Sequence, residues 1–143
     1  MTILAPPRAA TTEDYLDAAG PRLADLCTAC GACFDACPMV DYVGLREADS
    51  SSMTLDLRRL ARGEQAEANT ITWVGACTKS GLCRSACPEQ SNGLDAMLLI
   101  RVAKQRAINV TRQLKAKADP TAFPRVKIFA RLQLTDEELA KWL

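Results

Sequence analysis

CTACGACFDACP at residues 27–38 and CTKSGLCRSACP at residues 77–88 decide how this chain is read. Aligned, the two segments agree at the first cysteine, the threonine, the central glycine, the alanine and the closing Cys-Pro. The first reads C-x2-C-x2-C-x3-C-P, with Cys27, Cys30, Cys33, Cys37 and Pro38; the second reads C-x5-C-x3-C-P, with Cys77, Cys83, Cys87 and Pro88. Ser80 stands where the second run lacks a cysteine. All 7 cysteines of the 143-residue chain lie in these two segments, so the chain carries one loop twice, with one sulfur missing.

Three thiols at two-residue intervals can converge on one face of a polynuclear centre, while a fourth, carried past a turn, points the other way. That division of labour belongs to iron–sulfur clusters, in which the fourth cysteine of such a run ligates the other cluster of a pair. Crossed ligation assigns Cys27, Cys30, Cys33 and Cys87 to one [4Fe–4S] cluster, and Cys37, Cys77 and Cys83 to a second. Three thiolates suit [3Fe–4S], since the absent iron needs no protein ligand. Gly31 and Gly81 sit where the backbone must turn tightly around a cluster, a task glycine performs without strain. Pro38 and Pro88 fix φ and stop each loop continuing as helix.

Ser80 leaves alternatives open. Its oxygen is a hard donor that ionises reluctantly, which favours a vacant iron position and [3Fe–4S]. A second [4Fe–4S] cluster held by Ser80 or an external ligand, and no second cluster at all, are the other two readings. Zinc is the competing metal, but four-cysteine zinc sites pair C-x2-C knuckles, unlike the four-plus-three count here. The C-x3-C-x2-C arrangement of radical-generating enzymes is not present.

Composition narrows the function classes. Without histidine, the chain lacks the commonest general base and the commonest partner of cysteine at zinc and in nucleophilic pairs. An apolar content of 48% can build a core, but at this size a metal cluster is a useful staple. The start MTILAPPRAATTED has no signal-peptide pattern, and the apolar run Ala96 to Ile100 is too short to span a bilayer. With an odd cysteine count, a reducing, cytoplasmic setting is expected, with peripheral association to a membrane complex as a variant. Net charge is +1, yet residues 101–131 hold 9 basic side chains against one acid, Asp119. Such density suits an acidic partner, nucleic acid or a merely solvated helix face.

The rest of the pattern is helical. Thr12-Glu13-Asp14 reads as a helix start, with Leu16, Leu23 and Leu26 behind and a break or kink expected at Gly20-Pro21. Ser50 to Ser52 are expected to cap a helix through Met53, Leu57, Leu60 and Ala61, closing at Gly63. Another, near Thr70 to Ala76, delivers Trp73 and Cys77 to the second loop. A long helix is expected from about Leu94 to Lys117, with Leu94, Leu98 and Val102 at i, i+4 spacing, ended by Asp119-Pro120 and Phe123-Pro124. Thr135-x-x-Glu138 marks a capping box ahead of Leu139 and Trp142. Strand alternation is nowhere sustained. The expected architecture is all-α: a disordered 1–11, a two-loop cluster domain over 12–118, and a 119–143 extension of short helices for partner docking.

Helices carrying these paired loops resemble the α-helical ferredoxin domain found in the C-type subunit of heterodisulfide reductase. That domain also occurs in the iron–sulfur subunits of succinate dehydrogenase and fumarate reductase and in glycolate oxidase-like proteins. The resemblance spans roughly residues 12–118. The heterodisulfide reductase chains usually carry four cysteines in each run, whereas C-x5-C-x3-C-P looks like the [3Fe–4S] loop of the succinate dehydrogenase type. There the position matching Ser80 is non-ligating, which supports a three-iron cluster on Cys37, Cys77 and Cys83. The chain shows neither the [2Fe–2S] domain of those succinate dehydrogenase subunits nor the cysteine-rich modules of glycolate oxidase-like chains, so quinone reduction is not implied.

The resemblance implies a non-catalytic electron-transfer subunit of a multi-subunit oxidoreductase. It would pass single electrons between a flavin or disulfide-type catalytic partner and another carrier. The implied partners are a flavoprotein, a cysteine-rich protein like the B-type subunit of heterodisulfide reductase, or both. The alternative is a redox-sensing or nucleic-acid-associated iron–sulfur protein, weakened by the lack of aromatics interleaved with the basic residues.

Overall fold

The computed structural model describes residues 9–111, 120 and 122–142. The chain divides into two compact units, 1–111 and 112–143. Among the described residues there are helices and turns and no strand, so the all-α expectation holds.

In the first unit, α1 (Thr12–Leu26) opens on a capping box in which Thr11 and Asp14 satisfy each other's backbone amides. Contrary to expectation, Gly20-Pro21 does not break it. Gly20 instead lets α1 approach α4 (Ser50–Ala61): a Cβ there would lie 2.0 Å from the Ala61 carbonyl oxygen. This glycine serves packing, and Pro21 is carried inside the helix.

The N-cap of α4 is Asp49, whose carboxylate accepts from the Ser52 amide at 2.8 Å, rather than one of the serines. Its end follows expectation at Gly63, with φ +85° and amide bonds from Gly63 to Leu60 and from Glu64 to Arg59. Next comes α5 (Ala68–Gly75), starting two residues earlier than expected and handing the chain to Cys77. Asp95 caps α7 (Ala96–Thr111) by accepting from the Leu98 amide at 3.1 Å. The expected continuation of this helix to Lys117 lies outside the described residues.

These four helices enclose the core. Leu16 and Leu23 of α1, Leu57 and Leu60 of α4, Trp73 and Val74 of α5, and Leu99 and Ala103 of α7 are all buried. Full burial of an aliphatic side chain is worth about 1.5–3 kcal/mol, so this cluster supplies the frame on which the loops sit. Two one-turn helices, α2 (Ala32–Ala36) and α6 (Leu82–Ala86), pack on each other and carry the repeated segments. Between α2 and α4, α3 (Met39–Tyr42) completes the first loop. Phe34 of α2 meets Trp73 edge-on, with ring centroids 5.0 Å apart, tying the first loop to the helix that leads into the second.

The second unit contains α8 (Ala122–Gln133) and α9 (Asp136–Trp142), which contact each other. Phe123-Pro124 reads as a stop in the sequence, but both residues lie in the first turn of α8. Proline is tolerated there because the amide it lacks would have no intrahelical acceptor. The Thr135–Glu138 capping box forms as expected, with the Thr135 amide donating to Glu138 at 2.8 Å.

Candidate metal centre

The two loops are built alike, residue by residue. After Cys27 and Cys77 the chain turns through Ala29 and Lys79 at φ +56° and +61°, the non-glycine residues with positive φ among those described. Such a conformation costs an L-residue about 1–2 kcal/mol, and strain of this kind concentrates at functional sites. Here it aims an amide at sulfur: Ala29 and Lys79 each donate to the Sγ two residues back, at 3.4 Å. Gly31 and Gly81 follow at φ +87° and +80° and serve as the N-caps of α2 and α6.

Each short helix then ends where a cysteine precedes proline. A residue before proline is pushed out of the α region. Cys37 and Cys87 accordingly adopt φ/ψ of −75°/120° and −70°/122°. Pro38 and Pro88 do more than stop the loops: Pro38 caps α3, and Pro88 opens a 3-10 turn, Pro88–Asn92. The extended cysteine carries its sulfur away from the other thiols of its own run.

The outcome is two separate cavities. One is lined by Cys27, Cys30 and Cys33 of the first loop together with Cys87 of the second; Thr54, Glu89, Leu94 and Leu99 are among the other residues of its wall. The other is lined by Cys77 and Cys83 of the second loop with Cys37 of the first, beside Trp73, Met97 and Ile100. All seven cysteines line one cavity or the other, in the grouping expected from crossed ligation, and all are free thiols. The two cavities are of similar size although the second loop has Ser80 in place of a cysteine. Ser80 also lines the second cavity, but it is exposed and its Oγ accepts from the Leu82 amide at 3.5 Å.

Electrostatics tie each set together. Burial raises the pKa of Cys33 strongly, and the neighbouring Cys27 and Cys83 raise it further. Cys27 is also raised by burial, eased by the Ala29 amide and by the guanidinium of Arg58. Arg58 is held in place by donating from Nε to the Ala24 carbonyl at 3.0 Å. Burial raises Cys83 as well, the Arg84 amide lowers it, and Cys77 and Cys37 raise it again. Burial and repulsion between thiolates thus favour the protonated form of Cys27, Cys33 and Cys83, and a metal that binds their thiolates releases those protons.

The residues present fit iron–sulfur clusters: cysteine sulfurs converge on each cavity, amides point at sulfur, glycines make tight turns, and apolar residues stand beside Thr54 and Glu89 in one lining and Thr78, Lys79 and Ser80 in the other. Among the described residues, no three Cys, His, Asp or Glu side chains gather as one metal ion requires. The sulfurs are spread over cavity walls instead. Trp73 is legible in the sequence as a neighbour of the second loop. Arg58, Thr54 and Met97 are not, because only the helix packing brings them to the cavities.

No curated protein and no solved structure matches the chain. Residues 23–91 match the family described as 4Fe-4S dicluster domain, a segment that begins at Leu23 of α1 and spans both loops. With the paired cavities, that match supports an iron–sulfur ferredoxin-type domain over this segment, and with it a role in electron transfer.

Proposed function

We propose that the chain is the electron-transfer subunit of a multi-subunit oxidoreductase, similar to the C-type subunit of heterodisulfide reductase. One [4Fe–4S] cluster is held by Cys27, Cys30, Cys33 and Cys87, and one [3Fe–4S] cluster by Cys37, Cys77 and Cys83. The observation that carries this reading is the exchange of the fourth cysteines, which splits seven thiols into a set of four and a set of three around two cavities. Each cluster supplies a one-electron couple. The chain's own residues hold the two sites close: α2 packs on α6, and Cys33 of the first set is near enough to Cys83 of the second for their charges to interact.

Unequal ligand sets give unequal sites, which suits a relay with a direction. The three-iron site is the easier of the two to reduce. The bond chemistry belongs to partners, a flavoprotein or a cysteine-rich protein of the heterodisulfide reductase B type, in keeping with a protein that sets position and potential while others react. Among the described residues no helix is long and apolar enough to cross a membrane. A place at the periphery of a larger complex accords with that.

Anaerobic purification followed by EPR and iron analysis tests the reading. The expected result is about seven irons per chain. A narrow signal near the free-electron position should appear when oxidised and vanish on reduction. Eight irons with only reduced [4Fe–4S] signals would replace the three-iron assignment. A colourless, iron-free chain would end the proposal.

A further inference from the structure

A groove in the first unit adjoins the second cysteine cavity. It lies between the faces of α1 and α7 and has a volume of about 460 Å³. Its floor is apolar: Tyr15 and Leu16 from α1, and Leu98, Val102 and Ile108 from α7. Lys79, Arg101 and Lys104 give its wall a positive charge, beside the neutral Thr12, Cys77 and Gln105. Among the described residues no acidic side chain lines it. Nearby Asp14 is engaged with the Thr11 amide, and Asp17 with Arg106.

Cys77 and Lys79 line both the groove and the second cysteine cavity. Lys104 Nζ donates to the Cys77 carbonyl at 3.4 Å, so the groove's cationic wall grips the residue that divides the two spaces. Whatever sits in the groove is therefore one side chain from the second cluster site.

We infer that this groove is the docking port for an acidic amphipathic helix of the redox partner, through which electrons pass to or from the second cluster. The inference rests on the reading of this chain as an electron-transfer subunit. Two features select the occupant. A groove between two helix faces with an apolar floor matches the helix-in-groove mode of recognition. Lys79 and Arg101, both exposed on the groove's wall, complement acidic side chains flanking the apolar stripe, which would steer and orient the encounter.

The test uses the reduced, cluster-loaded full chain. One electron passes from the reduced second cluster to a small cobalt(III) complex, which becomes cobalt(II), and stopped-flow absorbance follows the loss. At low salt the anionic cobalt(III)–EDTA complex should oxidise the wild type about tenfold faster than the Lys79→Glu/Arg101→Glu double variant. The cationic hexaamminecobalt(III) ion should show the reverse preference, and both gaps should close at about 1 M salt, where the screening length is about 3 Å. A short helical peptide with glutamates beside a leucine stripe should slow the wild-type reaction several-fold and leave the double variant unaffected. Its glutamine counterpart should be weaker.

Equal rates for wild type and double variant would overturn the inference, as would an equal loss in Arg22→Glu, an exposed charge outside the groove. Slowing by flavin mononucleotide but not by the peptide would assign the groove to a small anion and overturn the helix. Iron content of each variant distinguishes a damaged site from a lost port. An iron-free wild type defeats the functional reading, whereas a loaded protein with equal rates defeats only this inference.

Discussion

Exchanging the fourth cysteines is the arrangement most open to a decisive test, through Cys37→Ala and Cys87→Ala. If each run fed its own cluster, Cys37→Ala would damage the first site and Cys87→Ala the second. The cavity linings require the opposite. Cys37→Ala leaves two thiols at the second cavity, too few for any cluster there. Iron should fall from about seven to about four per chain, with the oxidised three-iron signal gone and the reduced [4Fe–4S] signal intact. Cys87→Ala leaves three thiols at the first cavity. That site either empties or keeps three irons, but the reduced [4Fe–4S] signal disappears in both cases while the original three-iron signal persists. The packing cost of trimming a half-buried sulfur is only about 1 kcal/mol, and helical circular dichroism on each variant separates loss of a cluster from loss of the fold. Iron and sulfide analysis with EPR on anaerobically prepared protein reads the outcome. Loss of the reduced [4Fe–4S] signal in Cys37→Ala, with the three-iron signal retained, would refute the crossed assignment.

Restoring the missing sulfur with Ser80→Cys should raise the iron count by about one and abolish the oxidised three-iron signal, because the exposed residue has room for a thiol at the rim of the second cavity. Ser80→Ala should change neither reading, and a lost cluster there would make the serine a ligand after all. Alanine at Gly31 and at Gly81 meets the same positive φ, worth about 1–2 kcal/mol. Only at Gly31 would the new Cβ collide with a neighbour, 2.5 Å from the Ser50 Oγ and 2.9 Å from its carbonyl carbon. Gly31→Ala should therefore cost about 1–3 kcal/mol more than Gly81→Ala, measured as denaturant-driven loss of the visible cluster absorption; equal costs would contradict the packing of the first loop on α4. Burial pushes the Asp95 carboxyl up, but bonds from Arg84 and from the Leu98 and Met97 amides outweigh it and leave its pKa below the usual value of 3.8. A lowered carboxylate pKa stabilises the fold above the unfolded value, and the gain is lost as pH falls through the folded one. Asp95→Asn should accordingly be less stable than wild type by a constant margin from neutral pH to about 4.5, and the margin should shrink below pH 3.8; urea titrations followed by helical circular dichroism would expose a margin that grows on acidification instead.

How much of the molecule is legible in its sequence varies with how local the cause is. The loops are readable because their geometry is made by neighbours in the chain. Proline forces the preceding cysteine to extend, glycine turns at positive φ, and the alignment of the two runs carries both facts to residue 80. Helix ends are readable where a side chain caps its own backbone, as at Thr135. They mislead where distant packing decides. Gly20 looks like a breaker but is the contact that brings α1 onto Ala61, and Phe123-Pro124 looks like a stop but opens a helix.

By itself, then, the sequence determined the chemistry: seven sulfurs, two related loops, no histidine, and a serine at position 80 where the second run lacks a cysteine. Spacing alone restricts what four thiols can reach, because a few residues of backbone span only a few ångströms per step. The tertiary structure decided which cavity each cysteine lines, since whether Cys37 and Cys87 face home or across depends on α2 packing against α6 on a core of four longer helices. It also decided the surroundings. Arg58 beside Cys27, and the cationic groove that shares Cys77 with the second cavity, join residues far apart in sequence. No local pattern records such meetings, because burial of apolar surface across the whole first unit is what brings those helix faces together.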